Sequence, residues 1–180
     1  MLHYRLYQQA YLPDLPQEVL NTNGHVKSLL AIAELQEDAK FLIISNYSYG
    51  DALDKQIALL STDTTLSWKG NVPHNMISNL FFHDRGQYAL MFPSEMHAYT
   101  IFDPEAQYKS YDISEVNSFT YGYMMCNKHP QSYNYLERVN SAITSLYKGP
   151  EYLEAHLLSY SESEHAKIVS IISQLKAKKD

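Results

Sequence analysis

Turn-forming groups break the middle of this 180-residue chain every few residues, and no other feature limits its fold so strongly. Thr62-Asp63-Thr64, Asp84-Arg85-Gly86, Pro93-Ser94-Glu95 and Asp103-Pro104-Glu105 separate short apolar and aromatic runs. Those runs are KFLIISNYS (40–48), KQIALLST (55–62), TLSWKG (65–70), ISNLFFH (77–83), QYALMFP (87–93), MHAYTIFD (96–103), AQYKSYDI (106–113) and SFTYGYMMC (118–126). Connections this short leave no room for crossover helices, so the spacing predicts an antiparallel meander. Runs centred near Ile43, Phe81 and Tyr121 recur at about 39 residues, close to the period of a propeller blade. Two or three blades cannot close, so the recurrence is read as meander physics.

LHYRLYQQAY (2–11) reads as a first strand, ended by the prolines of Leu12-Pro13-Asp14-Leu15-Pro16. VKSLLAIAEL (26–35) suits a helix through Val26, Leu29, Leu30 and Ala33, or a buried strand; its strand-like neighbours favour the strand. In FFHDRGQYAL (81–90), Asp84-Arg85-Gly86 reads as a hairpin tip with Gly86 at φ > 0.

The last third changes period. Leu136, Val139, Ile143 and Leu146 form one helical stripe stopped by Gly149-Pro150, and Leu153 and Leu157 share a second. Ser161-Glu162-Ser163-Glu164 has the pattern of a capping box ahead of Ile168, Ile171, Ile172 and Leu175. Strands followed by helices indicate α+β. The expected architecture is an antiparallel meander sheet over residues 2–126, packed by two or three C-terminal helices over 131–178, in one domain spanning 1–180.

Composition narrows the function. A net charge of −6, three arginines, and a single basic cluster at Lys176, Lys178 and Lys179 argue against nucleic-acid binding. No apolar run approaches the ~18 residues of a membrane span, no secretory signal is visible, and one cysteine excludes an internal disulfide. These features favour a cytoplasmic protein with no membrane partner. Six glycines form no phosphate-binding frame, so no cofactor is expected. Cys126, after two methionines, reads as a buried, inert thiol.

Of eight histidines, the best metal set is His74, His83, Asp84 and His97, which would make a metal-dependent hydrolase. Adjacent His83 and Asp84 face opposite ways in a regular strand, so no metal is expected. What remains is surface: acidic stretches interleaved with some of the sixteen tyrosines. Tyr47, Tyr49, Asp51, Asp103, Glu105, Tyr108, Tyr111 and Asp112 are the candidate contacts for a basic protein partner. The leading reading is a non-enzymatic, acidic protein-binding module of the intracellular-inhibitor or immunity-protein kind. The alternatives are the hydrolase and a small-ligand site between sheet and helices, lined by Trp68 and tyrosines.

Overall fold

Two four-residue stretches, Phe41–Ile44 and Tyr88–Met91, have every side chain buried. A strand without a wet face must be covered on both sides, which is the condition of a parallel sheet interior. In this computed structural model, which describes residues 1–45, 47–68 and 75–177, the two stretches form the middle of a five-stranded sheet. The strands are β1 (Arg5–Gln9), β2 (Phe41–Ile44), β3 (Thr65–Trp68), β4 (Tyr88–Met91) and β5 (Tyr108–Tyr111), in the order β3-β2-β4-β1-β5. β2 pairs parallel with both β3 and β4, while β1 pairs antiparallel with β4 and β5. The expected antiparallel meander is therefore corrected to a mixed sheet within an α+β fold.

The helices that cover the sheet, two of which make its parallel crossovers, are short and fall in or beside runs read as strands. They are α1 (Leu29–Leu35), α2 (Asp51–Ile57), α3 (Met76–Phe82) and α4 (Pro93–Thr100). Of residues 26–35, Val26 bridges Leu20 and Ile113. Leu29–Leu35 is helix, because the Ser28 hydroxyl accepts the Ala31 amide at 3.1 Å and Leu29 and Ile32 share the buried face. The Leu29 amide, an orphan of the first turn, is taken by Gln56 Oε1 at 2.9 Å. α4 starts on Pro93 at its first position, and Glu95 reaches back to the Phe92 amide at 2.9 Å. α3 buries Ile77, Ser78 and Phe81, a helical spacing that ISNLFFH also offers as alternation.

Alternation along the strands divides two cores. Leu6, Phe41, Ile43, Tyr88 and Leu90 face α1 and α2, with Leu29, Ile32, Tyr49 and Leu53. Tyr7, Leu42, Ile44, Ala89 and Met91 face α3 and α4, with Ile77, Phe81 and Met96. Both faces are thus covered by helices of the same unit, His3–Ser118. Burying each of Phe41, Leu42, Ile43 and Ile44 is worth about 1.5–3 kcal/mol. Glutamine amides lock the amino edge: the buried Gln9 donates to the Phe81 carbonyl, and Lys40 donates its amide to Gln87 Oε1 at 3.0 Å.

The second unit comprises Met1–Leu2 and the residues from Phe119 onward. It holds α5 (Pro130–Lys148), α6 (Glu151–Leu157) and α7 (Glu162–Ala177), which match the helices expected from the sequence. Leu2, Tyr160, Ile168 and Ile172 form its buried cluster, with Leu153 and Leu157 against it, and the Leu2 amide donates to Tyr160 Oη at 3.1 Å. SFTYGYMMC holds no strand beyond a Leu2–Phe119 bridge, and Cys126 is exposed rather than buried. Among the described residues, no helix is long and apolar enough to cross a membrane.

FFHDRGQYAL is not a hairpin. It is the end of α3, a turn and β4, and Gly86 is not the residue at positive φ. Asp84 is, at 55°, where the Arg85 amide bonds back to the Leu80 carbonyl at 3.0 Å and closes the helix in a Schellman turn. Gly86 is required by space, since a Cβ there would stand 2.7 Å from Leu42 Cγ and 3.1 Å from the Lys40 carbonyl. In urea unfolding, Gly86→Ala is expected to cost about 1–3 kcal/mol through overpacking. Asp84→Gly should stay within about 1 kcal/mol, because relief of the left-handed conformation is offset by unfolded-chain entropy. A silent Gly86→Ala would sink this account of the turn.

Candidate functional site

The carboxyl edge of the sheet collects the side chains with the most chemical character. β2 leaves through a loop into α2 on one face, whereas β4 leaves directly into α4 on the other. Adjacent parallel strands that exit to opposite faces open a crevice between their ends, where α/β sheets take ligands. Along this edge stand Trp68 on β3, Ser45 beyond β2, Phe92 beyond β4, Arg5 on β1 with Tyr4 just before it, and Tyr111 on β5 with Asp112 just beyond it.

Three rings line the β4 side. Tyr4 stacks on Phe92 with centroids 3.8 Å apart and tilts against Tyr49 at 4.7 Å. The Tyr49 hydroxyl accepts the Ile44 amide at 2.9 Å, which ties the loop to the end of β2. Asp54 then fixes the loop: its carboxylate accepts the Tyr49 amide at 2.8 Å and the Ser48 hydroxyl at 2.6 Å. Gly50 takes φ 92° just before α2 and lies beside the His3 ring, 3.6 Å from where a Cβ would be. At the far end, Arg5 Nε donates to Asp112 Oδ1 at 2.7 Å, with His25 Nε2 at 4.0 Å from the other oxygen. Ser45 donates its amide to the Trp68 carbonyl at 2.9 Å.

The electrostatics of the crevice are negative. Burial raises the Tyr4 hydroxyl well above its usual pKa, and the charge of Glu95, then Tyr49, Tyr47 and Asp54, pushes the same way. Tyr49 is raised to about 12, by burial first, against the opposing hydrogen bond at Ile44, with Glu95 and Asp54 adding to the rise. Burial lowers the pKa of His3.

Of the contacts expected from sequence, Tyr47, Tyr49, Asp51, Tyr111 and Asp112 come to this edge, and Asp103, Glu105 and Tyr108 go to the other. Tyr47 is 40% exposed, Tyr49 only 2%, so the first can meet a ligand directly and the second supports the loop. Tyr108 packs its ring against Tyr7 at 5.5 Å, and the Tyr111 hydroxyl accepts the Leu15 amide at 3.4 Å. Asp112 is held by Arg5, so the two acidic stretches do not make one patch. Sequence reasoning missed Tyr4, Asp54, Phe92 and Glu95. The signals available were Pro93 with Glu95, a helix start that places Phe92 at a strand end, and Gly50 ahead of Asp51.

The hydrolase set does not assemble. His83 closes α3 with Nδ1 at 2.7 Å from the Asn79 carbonyl, His97 lies in α4, and His74 falls outside the described residues, as do Lys178 and Lys179 of the basic cluster. Among the described residues, no three histidine, cysteine or acidic side chains are grouped to hold a metal ion.

No family model matches the chain, and no curated protein does. One solved structure that resembles it is an ancestral arginine-binding protein bound to glutamine, at a TM-score of 0.53 and 13% identity. The match covers 93% of this chain and 58% of that one. The likeness shows that the α+β fold of this chain is shared with part of that protein. It also overturns the expected basic protein partner, since the protein of this fold takes a small molecule. The dispersal of the acidic residues supplies the physical reason.

Tyr49 and Tyr88 are both raised to about 12 in the folded chain, against about 10 unfolded. A raised folded pKa favours the protonated form, so this stability is complete below about pH 10 and is lost as pH climbs toward 12. Tyrosinate absorbance should therefore show exposed rings titrating near pH 10 and a late fraction that appears only with loss of circular dichroism. A single smooth titration with the fold intact would contradict the burial of these hydroxyls.

Proposed function

We propose that the chain binds a small polar organic molecule carrying a cationic group, an amino acid or a compound of similar size, at the carboxyl edge of β3, β2 and β4. The observation that carries this reading is the opposite exit of β2 and β4, the arrangement at which α/β sheets take ligands, at an edge lined by rings and acids. Tyr4, Phe92 and the exposed Tyr47 offer aromatic faces, and Glu95 and Asp54 bias the surroundings toward positive charge. The solved protein with this fold holds glutamine, which supports a ligand of amino-acid size.

Trp68 is the only tryptophan and stands on this edge, so its fluorescence reports directly. Titration with arginine, lysine, glutamine, glutamate and a simple amine should give a saturable change for the cationic members and a matching rise in melting temperature. Tyr47→Ala should weaken that binding by about tenfold, roughly 1.4 kcal/mol, the worth of one good ring contact. Asp103→Asn with Glu105→Gln, at the opposite edge, should leave it unchanged. The reading fails if no member of the panel saturates, or if the distant pair matters and Tyr47 does not.

A further inference from the structure

Gln8 is wholly buried in β1, yet one of its two side-chain polar atoms has no partner. Its Nε2 donates to the Pro13 carbonyl at 2.6 Å, whereas Oε1 bonds to nothing among the described residues. Turning the amide over would only set its oxygen against the Pro13 oxygen, acceptor to acceptor. Native folds seldom strand a buried acceptor, so this one calls for a donor from outside the chain.

Polar groups with bonding capacity left over converge on the same place. Gln8 lies directly opposite Tyr88 of β4, and alternation puts both side chains on the face of Leu6 and Leu90. Tyr111, opposite Leu6 on β5, shares that face. The loop over residues 12–16 draws these groups together, for Pro13 takes the Gln8 amide and the Leu15 amide reaches Tyr111 Oη at 3.4 Å. Tyr111 accepts in that bond, so its own proton is unused among the described residues. Tyr88 gives its proton to Gln36 Oε1 at 2.7 Å and keeps a lone pair. Lys109 also lies opposite Gln8, but its ammonium is committed to the Leu12 carbonyl at 2.6 Å and to Asp14 at 2.7 Å. The Tyr111 proton and the Gln8 oxygen would bond if they met. They do not meet, which leaves the spacing that a bridging water fills.

We propose that Gln8, Tyr88 and Tyr111 form an internal binding site for one water molecule, which donates to Gln8 Oε1 and Tyr88 Oη and accepts the Tyr111 hydroxyl. Three hydrogen bonds are the usual complement of a buried water. The chemistry of the site selects a neutral occupant with two donors. Among the described residues of this unit no acid is buried, so a metal or ammonium ion there would bring uncompensated charge into the core of Leu6, Leu15 and Val19. The site lies at the amino end of β4, away from the edge proposed for the ligand, and is independent of that reading.

Oxygen-17 relaxation dispersion of the solvent counts long-lived internal waters and is blind to exchanging protons. Gln8→Met keeps the length of the side chain and removes the acceptor. Its dispersion amplitude should fall below that of the unaltered protein by about one water molecule, with circular dichroism unchanged. Equal amplitudes in a folded variant would overturn the proposal. The unaltered protein supplies a second reading that does not depend on the variant folding. Its Gln8 side-chain amide should show a nuclear Overhauser cross-peak to water, with the sign of a long-lived contact. A missing peak, or one with the sign of fleeting surface hydration, would mean that the Gln8 oxygen is dry and the site does not exist.

Discussion

The burial of β2 on both faces is the constraint on which the sheet unit depends. Phe41 and Ile43 go to one core and Leu42 and Ile44 to the other, so neither face can be left to water. That demand brings α1 and α2 over one side and α3 and α4 over the other. It also forbids a hairpin at Asp84-Arg85-Gly86, because β4 runs parallel to β2 and β3, so α3 must carry the chain back along the sheet before β4 begins. Leu42 presses on the turn closely enough that only a residue without a Cβ fits at Gly86. One strand's packing thus fixes layers, connections and a glycine.

That dependence explains what could be read from the sequence and what could not. The five strands lie within runs that alternate or are wholly apolar, and α6 and α7 follow from stripes their own cluster buries. Misreading came from helices of seven or eight residues, two turns each, in which Ile77, Phe81 and Met96 fit a strand's alternation as well as a helix's stripe. Ser28, and Pro93 with Glu95, were the local signs of helix starts. The unbroken apolar runs FLII and YALM were the sign of parallel pairing, since a half-wet antiparallel strand would alternate.

The site was legible only in part, for a related reason. Tyr47, Tyr49 and Asp51 stand out as a tyrosine-rich, acidic loop, and they remain at the candidate site. Tyr4 and Phe92 have no such local signature, for they become neighbours through β1 pairing with β4, in a register that sets Arg5 beside Met91. A contact made by strand order is invisible until strand order is known. The same topology sends Asp103 and Glu105 to the edge where β5 begins, which separates acids that look continuous in the sequence.

The groups at the crevice differ in what they have left to offer. Asp54 already accepts the Tyr49 amide and the Ser48 hydroxyl, Glu95 accepts the Phe92 amide, and the Tyr49 hydroxyl is occupied by Ile44. These are positioning residues: they hold the loop and the start of α4 so that little ordering remains to oppose binding. Their charge still acts, because a field does not need a free lone pair. Direct contact falls to the faces of Tyr4 and Phe92 and to Tyr47, whose ring is exposed at the rim. A ligand of net negative charge would meet the field of Glu95 and Asp54 there without a described cation at the β2–β4 edge itself to offset it. Arg5 stands a strand away and is already paired with Asp112. On the proposed reading the acids orient and the rings touch, and it is this separation that would favour a cation over an anion.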